Sequence, residues 1–449
     1  MERYAAYKDS GVEWIGEIPA GWALKKLKYD VLVNPSKEGI DKESDDMVVF
    51  LPMEKVKEDG KIDCSIKKPI SELYSGFTFF RKNDVIIAKI TPCFENGKGA
   101  LLNELETDIG FGSTEFHVLR AKQNICNRFL YYITKSEIFM KTGEAFMSGA
   151  AGQKRVPTDF ISDFPLASPS VEEQTAIANY LDRKTAEIDA LIAQKQRLIE
   201  LYQEEKTAII NQAVTQGITP NAKLKDSGID WLGEIPERWE VAELRRFIRF
   251  ITSGSRGWAE HYADAGKIFV RIGNLTRNSI DVDLSDIQYV DPPVGTEGER
   301  TRIFEGDVLF SITAYIGSVA VATDAIAGAY INQHIALVRP LIDKIFPRYV
   351  AYVALSDLGQ SQLSGKGYGG TKIQLALDDV KSLLIPAPPL SEQTAIVHHI
   401  ETETARIDAK IAKTQRIIEL QKEYRSALIS EAVTGKIKVP DTAAQESGL

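Results

Sequence analysis

The chain repeats a twelve-residue block almost unchanged. The block reads KDSGVEWIGEIP at Lys8–Pro19 and KDSGIDWLGEIP at Lys225–Pro236, 217 residues later. A second block, EQTAI, occurs at Glu173–Ile177 and again at Glu392–Ile396, 219 residues later. Two separate blocks with nearly one period indicate a tandem duplication of about half the chain, and a repeat restricts the fold before any other pattern is considered. We expect the two halves to do the same kind of work.

Length and cysteine usage restrict the class of protein. A chain of 449 residues is long enough for two to four domains. Its three cysteines have no CxxC spacing, which indicates neither a disulfide framework nor a thiolate metal site and favours a reducing cytoplasm. The N-terminal residues lack the pattern of a signal peptide, and no stretch approaches the roughly 20 apolar residues that cross a bilayer. We therefore expect a soluble, cytoplasmic protein with no membrane partner.

The net charge of −9 argues against a protein that coats nucleic acid through bulk positive potential. Local basic clusters can still bind phosphate groups. The total charge therefore leaves the partner undecided.

Each half ends in a long, highly charged segment with helical periodicity. The first begins at Val171, between Pro169 and Gly217 as start and stop signals, and contains no internal glycine or proline. Its apolar residues form a narrow heptad seam, and the second segment carries the same seam. The predicted seam residues are Leu181, Ile188, Ile192, Ile199, Ile209, Ile400, Ile407, Ile411, Ile418 and Leu428. So narrow a strip cannot form a globular core, so we expect the two helices to pair; dimerisation of identical chains is the alternative.

The regions between the repeated blocks have the pattern of strands and turns. Segments such as DVIIAKI and INQHIALVRP are rich in β-branched residues and bounded by Gly, Asn, Asp and Pro. These inserts differ strongly between the halves, although the blocks around them repeat. The predicted fold class is α+β, with an internal repeat and segments 1–169 (N-terminal segment and first sheet domain), 170–216 (first long helix), 217–387 (linker and second sheet domain), 388–435 (second long helix) and 436–449 (tail).

Two fragments resemble enzyme motifs, and neither has the required context. Gly365, Gly367 and Gly370 match GxGxxG, but they follow a helix-like stretch, whereas a dinucleotide site needs strand, turn and helix in that order. The segment Asp291–Val294 resembles the Asp-Pro-Pro-aromatic motif of amino-methyltransferases, with valine in place of the aromatic residue. A loop is the preferred interpretation of both.

Metal and nucleotide chemistry also lack support in the sequence. None of the histidines stands at a metal-binding spacing, and no GxxxxGK[ST] loop is present. We therefore predict no metal site, no cofactor in this chain and no catalytic residues. Any catalysis would belong to another subunit.

Polar and basic loops point instead to nucleic acid. Glycine-rich turns let a backbone approach phosphates, and Gln, Asn, Lys and Arg make paired hydrogen bonds to base edges. Tyr315 or Phe94 is a candidate for stacking on a base or contacting a thymine methyl group. Ordinary solvated loops are the alternative interpretation. The predicted DNA-binding residues are Lys89, Asn96, Lys98, Gln153, Lys154 and Arg155 in the first half and Thr313, Tyr315, Asn332, Gln333, Lys372 and Gln374 in the second.

The order of these features resembles the specificity subunit of type I restriction-modification systems. The features are a Trp-containing GEIP block, a variable domain, a glycine-rich loop with QK or TK, an EQTAI helix start and a long helix, all occurring twice. The resemblance implies two target-recognition domains at opposite ends of an antiparallel coiled coil, related by a pseudo-twofold axis. Each domain would read one half of a bipartite site in double-stranded DNA, and the helix pair would set the spacer between the halves.

The resemblance also implies partners. Two modification subunits would bind S-adenosylmethionine, methylate adenine and dock around the helices, and restriction subunits would use ATP and Mg to cut DNA. Two alternatives stay open. One is a related system whose modification and cleavage functions reside in one partner polypeptide, and the other is a coiled-coil scaffold with protein-binding heads.

Overall fold

A computed structural model describes residues 2–149, 152–254, 256–292, 295–365 and 374–440. The chain divides into two compact units. Unit 1 comprises Met1–Gln196 with Arg416–Leu449, and unit 2 comprises Arg197–Gln415. Each unit thus contains one half of each long helix together with one sheet region, which differs from a division into consecutive segments.

The described residues of unit 1 form short strands, four short α-helices and parts of the long helices. Its strands are β1 Tyr7–Asp9, β2 Glu17–Pro19, β3 Ala23–Lys26, β4 Val31–Val33, β5 Met47–Leu51, β6 Lys67–Pro69, β7 Thr78–Arg81, β8 Val85–Ala88, β9 Gly99–Leu101, β10 Ile109–Gly112, β11 Phe116–Ala121 and β12 Pro165–Ser168. Its short helices are α1 Ile70–Leu73, α2 Asn127–Lys135, α3 Glu137–Ala145 and α4 Thr158–Asp163. The first long helix, α5, spans Val171–Gln216.

Two four-stranded sheets form the centre of unit 1. One has the order β6-β5-β10-β7, with β5 and β10 parallel, and the other has the order β4-β11-β8-β9, antiparallel throughout. The segment DVIIAKI, predicted as a strand, forms β8, and all four of its residues are buried. Ile86 and Ala88 pack in the core between the sheets, whereas Val85 and Ile87 pack in the cluster that includes the helices. Burial on both faces explains why this strand is uniformly apolar.

Unit 2 has the corresponding elements. Its strands are β13 Leu224–Asp226, β14 Glu234–Pro236, β15 Glu240–Glu243, β16 Ile248–Ser253, β17 Tyr262–Ala263, β18 Lys267–Val270, β19 Gln288–Val290, β20 Val308–Ser311, β21 Val319–Val321, β22 Tyr330–Ile331, β23 Ile335–Pro340 and β24 Leu384–Ala387. Its helices are α6 Thr296–Thr301, α7 Pro347–Leu355, α8 Asp357–Gly365, α9 Leu377–Lys381, the second part of α5 and part of the second long helix, α10 Leu390–Val433.

One sheet of unit 2 repeats the strand order of its counterpart in unit 1, and the other does so in part. The sheet β16-β23-β20-β21 has the same antiparallel order as β4-β11-β8-β9, and the second sheet, β17-β19-β18-β22, again contains one parallel pair, β18 with β22. Strands β8 and β20 therefore occupy the same place in their sheets. The inserts differ in sequence, but the sheets that contain β8 and β20 share one strand order.

The repeated glutamine of EQTAI explains why that block recurs. Gln174 is fully buried, and its side chain accepts a hydrogen bond from the Cys126 amide at 2.8 Å and donates to the carbonyl of Pro169 at 3.1 Å. Gln393 likewise accepts from the Phe346 amide at 2.7 Å. In each unit this side chain fastens the start of α2 or α7 to the start of a long helix. A buried glutamine side chain without hydrogen-bond partners would destabilise the fold, and the contacts it needs restrict the sequence of this block.

The long helices begin and end at their sequence signals. Helix α5 starts after Pro169 and stops before Gly217, which has a φ of 74°, and Gly435 (φ 72°) follows α10 in the same way. The seam residues Leu181, Ile188, Ile199, Ile400, Ile407, Ile418 and Leu428 are buried, and Ile192, Ile209 and Ile411 are partly buried.

The helices contact each other within each unit. In unit 1, the guanidinium of Arg425 lies 2.9 Å from the carboxylate of Asp189. In unit 2, the ammonium of Lys206 lies 2.8 Å from Asp408, and Lys410 lies 5.3 Å above the ring of Tyr202. Between these two contacts in unit 2, moving forward on α5 means moving backward on α10.

Candidate nucleic-acid interface

The two polar segments predicted in the first half are joined side by side. We call residues 89–98 loop A, which follows β8, and residues 149–155 loop B, of which 150 and 151 lie outside the described residues. The amide of Thr91 donates to the carbonyl of Lys154 at 3.0 Å, and its hydroxyl donates to the carbonyl of Gly152 at 2.6 Å. The Val156 amide donates to the Lys89 carbonyl at 2.8 Å. Residues about 60 positions apart thus form one surface.

Arg155 is paired within this surface. Its Nε and Nη2 each lie 2.9 Å from one carboxylate oxygen of Glu115, a bidentate geometry. Hydrogen bonding to Arg155 holds the pKa of Glu115 below its ordinary value, despite partial burial. The pair neutralises Arg155, a predicted DNA-binding cation. In this structure the pair fixes the base of loop B.

The other predicted residues of unit 1 differ in exposure. Asn96, Gln153 and Lys154 are exposed, whereas Lys89 and Lys98 are partly buried. The Lys98 ammonium donates to the Met53 carbonyl at 3.2 Å, which ties it to a neighbouring loop. The side chains of Asn96, Gln153 and Lys154 are therefore accessible on the joined surface.

Phe94 is not placed for stacking on a base. Its side chain is 2% exposed and packs in the core of unit 1, with its ring 6.4 Å from that of Phe139. The expectation that it stacks on a base is wrong, because an aromatic residue in a loop becomes an anchor when the loop folds back on the core.

Lys135 anchors loop A, although no sequence motif singled it out. From the end of α2, its ammonium donates to the carbonyl of Gly97 at 2.5 Å and to that of Glu58 at 3.0 Å. Burial lowers the pKa of Lys135 to about 8. The Lys135 ammonium thus holds two loops together. The indication of this in the sequence was limited to a lysine at the end of an amphipathic helix.

His117 supports loop B from below. The Nε2 of this buried ring lies 2.9 Å from the Val156 carbonyl, and its Nδ1 lies 3.1 Å from the side-chain nitrogen of Asn34. A neutral ring with its proton on Nε2 satisfies both contacts, and burial lowers the pKa of His117 accordingly. The histidine is a structural support for the loop.

His334 collects the predicted residues of unit 2. Its Nδ1 lies 3.0 Å from the Thr313 hydroxyl, and its Nε2 lies 3.1 Å from the side-chain nitrogen of Gln333. The Leu375 amide donates to the Ile312 carbonyl at 2.8 Å, which brings the exposed Gln374 beside Thr313. Thr313, Gln333 and Gln374 therefore lie together beyond the end of β20, where loop A lies relative to β8.

Of the predicted residues Asn332 and Lys372, the structure describes only Asn332. Asn332 is 8% exposed, and its side-chain oxygen accepts a hydrogen bond from the His334 amide at 3.2 Å, so it shapes the turn below the surface. Its contact with DNA stays a prediction. Lys372 lies outside the described residues, as do Gly367 and Gly370 of the GxGxxG match and Pro293 and Val294 of the Asp-Pro-Pro segment.

Tyr315 projects from the turn that follows β20. Its side chain is 65% exposed, and its φ of 61° lies in the left-handed region that non-glycine residues rarely adopt. The turn is fixed from several sides: Arg277 donates to the Ile316 carbonyl at 3.2 Å, and Gln360 donates to the Gly317 carbonyl at 2.8 Å. An exposed aromatic ring on a constrained turn is a typical recognition element.

Other chemistry finds no support in the part of the chain that the structure describes. It contains no group of three or more His, Cys, Asp or Glu residues arranged to hold a metal ion. Among the described helices, none is both long and apolar enough to cross a membrane.

A family model of the type I restriction modification DNA specificity domain matches the chain twice, at residues 29–201 and 236–421. These two matches cover most of the chain. The chain belongs to this family. Both loop clusters and both long helices lie largely within the matched ranges, whereas Trp14 and Trp231 of the repeated block lie outside them.

Individual relatives share the assignment. The chain is 37% identical over 189 residues to the EcoAI specificity subunit of Escherichia coli, a match covering 42% of this chain and 32% of that one. The EcoEI subunit of the same species is 34% identical over the same shares. The match thus spans about a third of the length of these relatives. A putative type I specificity subunit of Methanocaldococcus jannaschii, MjaX, is 23% identical over 95% of this chain and 96% of its own.

Solved structures share the fold of this chain. A chain from a structure concerning complex assembly and conformational transition of the type I restriction-modification system matches with a TM-score of 0.71 and 20% identity, covering 94% of this chain and 99% of that one. The HsdS subunit from Thermoanaerobacter tengcongensis matches with a TM-score of 0.55 and 19% identity, covering 94% and 98%. The mixed α+β fold with two sheet regions and long helices is therefore the fold of this family.

Proposed function

We propose that this chain is the DNA-specificity subunit of a type I restriction-modification complex, and that each unit reads one half of a bipartite site. One observation carries the proposal. In both units the sheet with the shared strand order contains a strand, β8 or β20, that leads into a polar loop cluster, and the side chains of the two clusters differ. A common frame with different contact residues is what reading two different half-sites requires. The chain itself is non-catalytic, and chemistry belongs to its partners.

The exposed residues of the clusters suit base recognition. Asn96 and Gln153 in unit 1 and Gln374 in unit 2 carry amides, which bond bidentately to adenine in the major groove. Lys154 suits a phosphate oxygen, which positions the protein without specifying a base. Tyr315 suits a stacked base or a thymine methyl group.

The long helices form the spacer element of the proposal. Buried seam residues and the contacts of Asp189 with Arg425 and of Lys206 with Asp408 support an antiparallel coiled coil. The sheet order shared by the two units supports a pseudo-twofold repeat. A helix pair of fixed length would then set the distance between half-sites.

Partners and cofactors follow from the family. Two modification subunits that bind S-adenosylmethionine would dock on the repeated frame, and restriction subunits would supply ATP- and Mg-dependent cleavage. Relatives named as type I restriction enzyme specificity subunits support this composition. A complex acting on cellular DNA belongs in the cytoplasm.

Exchanging one insert tests the proposal. Residues 21–165 would be replaced by the insert of another family member; the two junctions lie close together because β3 pairs with β12, with Ala23 opposite Ser168. Methylated positions would then be mapped after assembly with the modification subunit. We expect one half-site to change and the other to stay. A change in both half-sites, or in neither, would refute independent reading by the two units.

A further inference from the structure

Each unit has a groove beside the exposed tryptophan of the repeated block. Groove 1 has a volume of about 570 Å³ and is lined by Trp14, Ile138, Thr142, Ser430, Thr434 and Ile437, among others. Groove 2 has a volume of about 760 Å³ and is lined by Trp231, Leu358, Gln362, Asn211, Thr215 and Leu384, among others. Neither groove includes a residue of the two loop clusters. They form a second, repeated surface.

The walls of the two grooves are built in the same way. In groove 1, the Glu137 amide at the start of α3 donates to the hydroxyl of Ser430 in the last turns of α10, at 2.8 Å. In groove 2, the Asp357 amide at the start of α8 donates to the side-chain oxygen of Asn211 near the end of α5, also at 2.8 Å. The same short helix is fastened to the same end of a long helix in both units, although the side chains differ.

The tryptophans beside the two grooves are exposed, and burying their apolar rings would be energetically favourable. Trp14 is 40% exposed and Trp231 is 54% exposed. By contrast Trp22 and Trp239, which follow the same blocks, are 2% and 0% exposed and serve the core. An exposed tryptophan beside a concave apolar surface is the usual anchor point of a protein interface.

Charge excludes DNA as the common occupant. The charged side chains on groove 2 are Glu243 and Asp357, which repel a phosphate. Groove 1 carries both signs, with Glu137 and Glu431 beside the cations Arg3, Lys141 and Lys436. An occupant that fits both grooves therefore relies on what they share, an indole face and an aliphatic wall.

We propose that the two grooves are docking sites for two copies of one protein partner, each inserting the same aromatic or branched aliphatic side chain against Trp14 or Trp231. The partner is the modification subunit, so the inference rests on the proposed function and assigns its contact point. The duplication supports two identical occupants. The repeated blocks and long helices are alike in both units, whereas the loops proposed to face DNA differ, so a repeated groove suits two copies of one partner.

Native mass spectrometry of the full chain with purified modification subunit tests the assignment. We expect two bound copies for the unaltered chain. Trp14→Ala or Trp231→Ala should weaken one site about 30-fold or more, leaving one tight copy, and the double variant should retain none at the same concentration. Tyr29→Ala is the matched control, because this tyrosine is 63% exposed in unit 1 and lies outside groove 1.

A second pair of variants separates docking from folding. Thr142→Arg and Ser361→Arg place a long cation in groove 1 and groove 2 and leave both tryptophans in place. We expect each to remove one copy while the circular dichroism and thermal unfolding of the chain stay unchanged.

The outcomes distinguish this inference from the proposed function. Two copies still bound to the double tryptophan variant would overturn the grooves and leave the function intact, whereas an unaltered chain that binds no modification subunit would overturn the function. A chain that dimerises by itself, and becomes monomeric as the double variant, would make a second copy the occupant.

Discussion

The guanidinium of Arg120 binds both carboxylate oxygens of Asp84, with Nε 2.8 Å from Oδ1 and Nη2 2.7 Å from Oδ2. The Asp84 side chain is 3% exposed, and its Oδ2 also accepts the Arg81 amide at 2.7 Å. Asp307 and Arg339 form the same bidentate pair in unit 2, at 2.8 Å for both bonds. Each pair joins the start of the strand that leads into a loop cluster, β8 or β20, to the neighbouring strand.

Breaking the buried pair should destabilise unit 1. Asp84→Ala leaves the Arg120 guanidinium without its carboxylate and the Arg81 amide without its acceptor, which costs on the order of 3–5 kcal/mol of unfolding free energy. Denaturant titration measures the loss. Glu106→Ala is the control, because its pair with Lys67 is exposed on both sides and contributes about 1 kcal/mol or less. Equal losses in the two variants would contradict the role of the buried pair.

Removing the exposed cation of loop B should weaken DNA binding without changing base preference. Lys154→Ala deletes one phosphate contact, so the slope of log affinity against log salt should fall in magnitude by about 1 for all sequences alike. Fluorescence anisotropy of the assembled complex over a salt series gives the slope. Lys28→Ala should leave it unchanged, because Lys28 already pairs with Asp163 at 2.7 Å. An altered base preference in Lys154→Ala would assign this lysine a different role.

Tyr315 should contribute to binding more than to stability. Asparagine tolerates the left-handed conformation of residue 315, so Tyr315→Asn should keep the unfolding free energy within about 0.5 kcal/mol of the parent. Loss of an aromatic contact with a base should weaken DNA binding by about 1–3 kcal/mol, roughly 5- to 150-fold. Anisotropy and denaturant titration on the same preparation check both halves. Undiminished affinity would remove Tyr315 from the interface.

Lys135 should give the chain a stability step in mildly alkaline solution. Its pKa is lowered to about 8 in the folded state, whereas the ordinary value is 10.5, so the unfolded chain binds more protons between these pH values and stability rises with pH through that window. The charged groups facing it are Arg425, Asp59 and Glu58. In Lys135→Met this rise should be absent.

Unfolding at pH 7 and pH 9.5 measures that difference. The stability of the parent relative to Lys135→Met should increase between the two values. Lys141→Met is the control: its ion pair with Glu137 raises the pKa of Lys141, so the difference from the parent should stay flat over this range. Parallel pH profiles for the parent and Lys135→Met would show that residue 135 does not titrate there.

Changing the length of the long helices should change the spacer of the methylated site. Inserting one helical turn into both α5 and α10 keeps the heptad seam roughly in phase and lengthens the pair by about 5 Å. We expect a longer spacer with unaltered half-sequences, read by sequencing the methylated DNA. An unchanged spacer would refute the role of the helix pair as a ruler.

The strands and helices were predictable where local patterns agree with the fold. DVIIAKI became β8, and the helix expected from Val171 starts at that residue and ends at Gln216. Heptad spacing, proline and glycine boundaries and β-branched runs are local signals, and tertiary contacts reinforce them here.

Individual contact residues were less predictable. Asn96, Gln153 and Lys154 are exposed in one joined surface, yet Phe94 and Asn332 are buried, and Lys135 was not selected. Whether a polar or aromatic loop residue faces solvent depends on which partner reaches it from elsewhere in the chain, such as Thr91 for loop B or Val270, whose carbonyl accepts the Asn332 amide. Residue type alone does not contain that information.

The sequence by itself determined the duplication, the two long helices with their apolar seam and the family, because repetition and periodicity are properties of the order of residues. Only the tertiary structure decided which side chains meet. The Arg120–Asp84 pair, the joining of loop A to loop B and the two tryptophan grooves each bring together residues that are distant in sequence. Such contacts depend on how sheets and helices pack, and packing is a property of the folded chain.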